Sequence, residues 1–214
     1  TLKNLTLRIT GGAAGDAAVS LTTGANTGFR LEDVAFDLTG AAAGNALYGV
    51  NSPSAFAHTV TLLRCTGTIG GTGISAFVRE TTGTLTATLT ECALTMNSAN
   101  GFTLIGAATV LTVTATGCAL DGTGGLVSLG AAAHRVTALG GTLDMDAAST
   151  LGAGSRVAWK TARQTYTVHA GLAIQQAIDA AAADTPAAAA TVRYLVQVLP
   201  GLYVEALTLS AFVD

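Results

Sequence analysis

A four-residue anchor recurs six times along the chain: Leu2-Lys3-Asn4-Leu5, Leu31-Glu32-Asp33-Val34, Leu62-Leu63-Arg64-Cys65, Leu89-Thr90-Glu91-Cys92, Ala115-Thr116-Gly117-Cys118 and Ala138-Leu139-Gly140-Gly141. Subtracting the starting positions 2, 31, 62, 89, 115 and 138 gives spacings of 29, 31, 27, 26 and 23 residues. A repeat of this kind makes each unit a module that cannot bury its apolar face alone, so stacked neighbours must supply the core. The spacing varies too much for helical repeats of fixed length.

Around the anchors apolar and polar residues alternate, as in Leu5-Thr6-Leu7-Arg8-Ile9-Thr10, Val34-Ala35-Phe36-Asp37-Leu38-Thr39, Leu85-Thr86-Ala87-Thr88-Leu89-Thr90 and Leu111-Thr112-Val113-Thr114-Ala115-Thr116. That is the period of a strand with one buried face. Gly and Asn punctuate the units at Gly11-Gly12, Gly44-Asn45, Gly70-Gly71, Asn100-Gly101 and Gly124-Gly125, where short strands need tight bends between them. Strand and turn alternating at this period describe an all-β chain coiled into a parallel β-helix.

Aligned anchors stack equivalent side chains into files along the solenoid axis, with neighbouring coils about 4.8 Å apart. The fourth position reads Leu5, Val34, Cys65, Cys92, Cys118, Gly141, so all three cysteines fall in one file. The eighth position reads Ile9, Leu38, Ile69, Met96, Gly122, Met145 and is largely apolar; the seventh reads Arg8, Asp37, Thr68, Thr95, Asp121, Asp144 and faces out.

The cysteine spacings of 27 and 26 match no zinc signature and no His shares the file. The three thiols read as an inward core ladder, with a disulfide between adjacent coils as the alternative. Among the acids, Asp121 and Asp144 form the best pair, about 5 Å apart on adjacent coils, with Asp146 nearby in sequence. Glycan-cleaving pairs sit at such separations. No Lys, Arg or His completes a constellation with them, and a solvated outer face explains them as well. His58, His134 and His169 lie far apart in the repeat frame, and Trp159, Tyr166 and Tyr203 read as a cap junction before a sugar-stacking patch. No Gly-x-Ser-x-Gly elbow or phosphate loop occurs. No residue is therefore assigned as catalytic or metal-ligating, no ligand-binding set is singled out, and no cofactor is expected.

Net charge is −3 with ten Lys and Arg scattered along the chain, which argues against a nucleic-acid surface. Mean hydropathy is +0.52, yet charge or Thr and Gly interrupt every apolar stretch before the roughly 18 residues of a membrane span. Charged residues total only 11%, which predicts that outer faces are covered by partners.

From about Thr161 the pattern changes. Ile174-Gln175-Gln176-Ala177-Ile178-Asp179-Ala180-Ala181 sets Ile174, Ala177, Ile178 and Ala181 on one helical face. A loop with Pro186 precedes Val196-Gln197-Val198, then Pro200-Gly201-Leu202-Tyr203-Val204-Glu205. This order, across residues 165–214, resembles the opening of pectin-lyase-like right-handed parallel β-helices, as in phage tail-fibre and tailspike proteins; residues 1–150 fit that family by repeat pattern. The resemblance implies a short capping α-helix near the C-terminal part, with Ile174 and Ile178 plugging the barrel mouth. It divides the chain into coils of one β-helix (1–160) and the cap helix and first strands of a second segment (161–214). The expectation is a window from a longer repetitive fibre, with a further cap upstream; circular permutation is the alternative.

The function expected on this reading is a structural and adhesive module of an extracellular fibre, a viral tail fibre or tailspike that binds a cell-surface glycan. Homo-oligomerisation, with a trimer favoured, or head-to-tail assembly is expected, located outside the cell or on a virion surface. One alternative is a polysaccharide lyase or hydrolase with its active coils outside this window. Another is a bacterial surface adhesin or filament subunit.

Overall fold

The third residue of each anchor turns the chain. Asn4, Asp33, Arg64, Glu91, Gly117 and Gly140 all adopt left-handed backbone, with φ of 53°, 55°, 49°, 52°, 61° and 65°. One such residue between two extended runs makes a corner without a loop. The corner N–H then reaches the next coil: Arg64 donates to the Thr90 carbonyl (2.8 Å), Glu91 to Thr116 (2.9 Å) and Gly117 to Leu139 (2.8 Å). These corners, with Gly140 donating to Lys160 (2.6 Å), are thus held by the coil stacked on them, which offsets part of the cost of left-handed conformation at Arg64 and Glu91.

The structure, a computed structural model, describes residues 1–10, 15–40, 46–70, 73–98, 100–107, 110–130, 134–147, 150–151, 156–162, 165–184, 194–209 and 213. Of these, the side chains of residues 10, 40, 143–147, 150–151, 156, 161–162 and 184 lie outside the description. The first coil comprises β1 (Leu2–Thr10) and β2 (Asp16–Ser20), and the second β3 (Phe29–Gly40) and β4 (Leu47–Ser52). The third comprises β5 (Ala57–Leu63), β6 (Thr66–Gly70) and β7 (Ala76–Glu80), and the fourth β8 (Thr84–Thr90), β9 (Ala93–Asn97) and β10 (Phe102–Gly106). The fifth holds β11 (Val110–Thr116) and β12 (Ala119–Leu129), and the sixth β13 (Arg135–Leu139), β14 (Thr142–Ala147) and β15 (Thr150–Leu151).

These coils stack in parallel on three faces. The first face runs from the start of β3 through β5, β8, β11 and β13. The second runs through β1, the later part of β3, β6, β9, the start of β12 and β14. The third runs through β2, β4, β7, β10, the end of β12 and β15. This is the all-β parallel β-helix that the repeat implies.

The register is the one read from the anchors. On the second face Leu38, Ile69, Met96, Gly122 and Met145 are successive partners, as are Arg8, Asp37, Thr68, Thr95, Asp121 and Asp144. One residue before the partnered Thr66, Ala93 and Ala119, the cysteines Cys65, Cys92 and Cys118 fall in one inward file. All three are free thiols and fully buried. Their S–H groups point at core carbonyls, Cys92 at Leu62 and Thr90 (3.4 Å each) and Cys65 at Leu31 (3.6 Å). The next inward file mixes sizes: Phe36 is large, and a Cβ on its stacked neighbour Gly67 would lie 2.7 Å from the Phe36 Cβ. Phe36 instead meets the Phe77 ring edge-on at 6.2 Å.

Parallel stacking extends one rung further on the first face, where β16 (Arg156–Ala162) pairs with β13. There it ends, because β17 (Thr165–Val168) runs antiparallel to β16. The helix α1 (Ile174–Asp184) follows, and β18 (Leu195–Val198) pairs parallel with β17. The helix lies against β16, β17 and β18 with Ala177, Ile178 and Ala181 buried and Ile174 partly so. The Gln176 side-chain oxygen accepts the Val157 N–H of β16. Trp159, Tyr166, Ala177 and Tyr194 belong to the same hydrophobic cluster as Leu31 and Cys92, so the helix closes the far end of the coil core.

Candidate functional site

The seventh-position file and its neighbours shape a polar groove on the second face. Alternation along β3, β6 and β9 puts Asp37, Thr39, Thr66, Thr68 and Thr95 outward, above a floor of small residues such as Ala35 and Ala93. Because these small residues stand beside longer ones, a shallow groove of about 460 Å³ opens across three coils. Thr hydroxyls from three consecutive strands line it, with Thr68 and Thr95 in register at the inter-coil spacing, a pattern that offers hydrogen bonds to a chain of hydroxyl groups laid along the axis.

Asp37 closes the groove at its upper end and is fully engaged. Its Oδ1 accepts from the Thr39 hydroxyl at 2.9 Å and its Oδ2 from the Arg8 Nε at 2.7 Å. The Thr39 and Arg8 bonds hold this carboxyl below the usual range, so it stays ionised. A carboxylate satisfied in this way is a poor proton donor. Asp121 continues the file below the groove and is exposed, with the Asp144 backbone as its register partner. The side chains of Asp144 and Asp146 lie outside the described residues.

Next to the groove, at the first corners, sits an ionic cluster that the sequence analysis did not single out. Glu32 takes Lys3 at 2.8 Å, Arg30 at 3.0 Å and Arg64 at 3.1 Å, while Arg64 also grips Asp33 at 2.7 Å. The bond from Lys3, with those from Arg30 and Arg64, holds the Glu32 carboxyl down at about 2. The signal was present in the anchors: Lys3 and Glu32 are register partners, and Asp33 and Arg64 are successive corner residues.

The histidines are placed differently from the sequence expectation. His58 partners Leu85, Leu85 partners Leu111, and the next pair, Thr112 with Arg135, puts His134 in that same file. His58 and His134 therefore share one position in the coil, each four residues before its anchor, and lie three coils apart along the axis. Both are buried at the start of a first-face strand. Each uses Nδ1 to accept a backbone N–H, His58 from Asn26 (3.2 Å) and His134 from Leu111 (2.8 Å). His58 Nε2 meets the Ser54 hydroxyl at 2.6 Å. With Nδ1 accepting, Nε2 carries the proton in the neutral ring. Burial pushes both imidazoles below their ordinary pKa. His169 is elsewhere, edge-on to Trp159 at 5.4 Å.

Trp159 and Tyr166 are buried at the helix junction, so neither offers a face for a sugar ring. Lys160 Nζ lies 5.4 Å from the Tyr166 ring and 5.6 Å from Tyr194. Tyr203 donates its hydroxyl to the Leu199 carbonyl at 2.9 Å. Glu205, the last residue of the Pro-Gly-x-Tyr-x-Glu run, caps the helix: its carboxylate accepts Ile174 N–H at 2.7 Å and Gln175 N–H at 3.0 Å. Among the described residues no group of three or more His, Cys, Asp or Glu is arranged to hold a metal ion, and no helix is long and apolar enough to cross a membrane.

No protein-family model, curated protein or solved structure matches this chain. The coil stacking itself makes the chain a β-solenoid, a fold that serves structural, adhesive and enzymatic roles alike.

Proposed function

We propose that the chain is a structural and adhesive module of an extracellular fibre, of the viral tail-fibre or tailspike kind, that lays a cell-surface glycan along its second face. The groove over β3, β6 and β9 carries this reading, because the Thr68 and Thr95 hydroxyls stand in register on adjacent coils beside Thr66, a polar row along which sugar hydroxyls can bond. A stacked rod transmits load through neighbour contacts, which suits a fibre. Residues 161–214 then begin a second β-helix segment of the same fibre. Low surface charge favours a homotrimer or a head-to-tail array, on a virion surface or outside the cell. A bacterial surface adhesin or filament subunit would use the same faces.

Co-sedimentation of the protein with insoluble cell-surface polysaccharide tests the groove. Thr68→Lys and Thr95→Lys are expected to lower binding at least tenfold, whereas undiminished binding in both variants would remove the groove from the account. Light scattering tests assembly, with a trimer expected and a stable monomer at micromolar concentration contradicting it. The register of Asp121 with Asp144 favours a second reading, a glycan lyase or hydrolase with further active coils. Release of new reducing ends from a bound polysaccharide would support that reading.

A further inference from the structure

The first face carries a different pattern from the second. Three consecutive coils each place two threonines outward: Thr59 and Thr61 on β5, Thr86 and Thr88 on β8, Thr112 and Thr114 on β11. They are aligned in two files, Thr59 with Thr86 with Thr112, and Thr61 with Thr88 with Thr114. The intervening residues Val60, Ala87 and Val113 are buried, which fixes the threonines on the outer side. The result is a two-dimensional grid, repeating about 4.8 Å along the axis and about 6.7 Å, two residues, along each strand.

Three properties of this grid restrict what it can bind. Its hydroxyls are available: Thr59 accepts the Gly28 N–H at 2.7 Å, and the other five make no hydrogen bond to protein among the described residues. Its geometry is stiff, since a β-branched side chain in a strand has restricted χ1 and is flanked by identical neighbours. It is uncharged, with Arg30 and Arg135 marking its two ends in the files. A small solute needs a concave site, which a flat strand array lacks. A glycan would find neither a groove nor an aromatic side chain there, since no outward position of β5, β8 or β11 is aromatic.

A periodic, neutral partner remains, and ordered water is one whose repeat fits the grid. The two grid spacings approach those between oxygen rows on the surfaces of hexagonal ice. Each hydroxyl can hold one lattice water by donating and accepting, while each methyl offers water no competing partner. Waters over the grid are therefore set in rows before freezing, which reduces the entropy lost when they join a crystal. We propose that the first face is an ice-binding surface, with Thr59, Thr61, Thr86, Thr88, Thr112 and Thr114 as its contact grid. This is independent of the glycan reading, which uses the second face.

The test is ice growth in dilute solutions of the full chain. Faceted crystals and arrested recrystallisation are expected from the wild type. Thr86→Lys and Thr88→Lys, at the grid centre, are expected to abolish both effects, and Thr68→Lys on the second face to leave them unchanged. Crystals that grow and coarsen as in buffer alone would overturn the proposal, as would full activity in the Thr86→Lys and Thr88→Lys variants. Sedimentation showing that these two variants dissociate a wild-type oligomer would also overturn it, because the grid would then be an interface between copies. Should the variants fail to fold, fluorescently labelled wild type on a growing ice hemisphere decides: adsorption is expected, and exclusion from the ice contradicts the assignment.

Discussion

His58, His134 and His169 are held neutral by burial, while Glu32, Asp33 and Asp37 are held ionised by their partners. The two groups act on stability in different pH ranges. For the histidines the folded pKa lies below the unfolded value of 6.5, so the unfolded chain binds more protons below that pH. Their contribution is complete above pH 6.5 and is lost as pH falls toward the folded values. For Glu32 the contribution is complete above 4.5 and is lost as pH falls toward about 2. Thermal unfolding followed from pH 8 to pH 3 is expected to show a decline beginning near 6.5 and a steeper one below 4.5. A flat midpoint between pH 7 and 5 would contradict the buried, neutral histidines. The cysteines give a separate check: bonding to the Cys118 and Cys65 thiols, with burial, pushes the Cys92 thiol up. None of the three is expected to react with a thiol reagent until the protein unfolds, and rapid native labelling would contradict the inward file. That file was legible in the sequence because all three cysteines occupy an anchor position. The histidine pair was legible too, four residues before the anchors at Leu62 and Ala138, but two other coils carry Leu85 and Leu111 between them, so no run of like residues marked the file.

Elements are joined here by single corner residues and by one helix cap. Corner glycines cost nothing in left-handed backbone, whereas Glu91 at φ 52° carries strain. Gly117→Val is expected to lower stability by about 1–2 kcal/mol. Glu91→Asn is expected to raise it by about 0.5 kcal/mol, since Asn adopts this conformation more readily. Chemical denaturation measures both, and a neutral Gly117→Val would mean that the corner is not left-handed. The sequence marked the corners by mixing Asn, Asp and Gly at the third anchor position, but Arg64 and Glu91 there obscured the signal. At the other end, Glu205 is distant in sequence from α1 yet caps it, so Glu205→Ala is expected to cost about 1 kcal/mol and loosen the helix. Hydrogen exchange at Ile174 and Gln175 reports this directly, and unchanged protection there would count against the cap. The motif was recognised from its resemblance alone; its physical role, a carboxylate reaching the first amides of the helix, needed coordinates.

At the scale of the whole molecule, coil number, strand positions and register followed from one repeated anchor, because parallel stacking forces equivalent residues into line. Two features did not follow. The antiparallel pairing of β16 with β17 falls beyond the last anchor, where no repeat sets the direction of the next strand. The relief of the outer faces depends on which small residues stand beside which large ones, as with Gly67 beside Phe36, and a pattern of alternation is silent on that. The surfaces therefore differ although the coils repeat: one face is grooved, another carries a grid, and the first corners carry an ionic cluster. All three assignments stand on the in-register stack, and anomalous scattering from sulfur in a crystal of the protein tests that stack most directly. Cys65, Cys92 and Cys118 should appear as three peaks in a line along the solenoid axis, successive peaks about 4.8 Å apart. Peaks on different sides of the coil, or separated by more than one coil height, would contradict it.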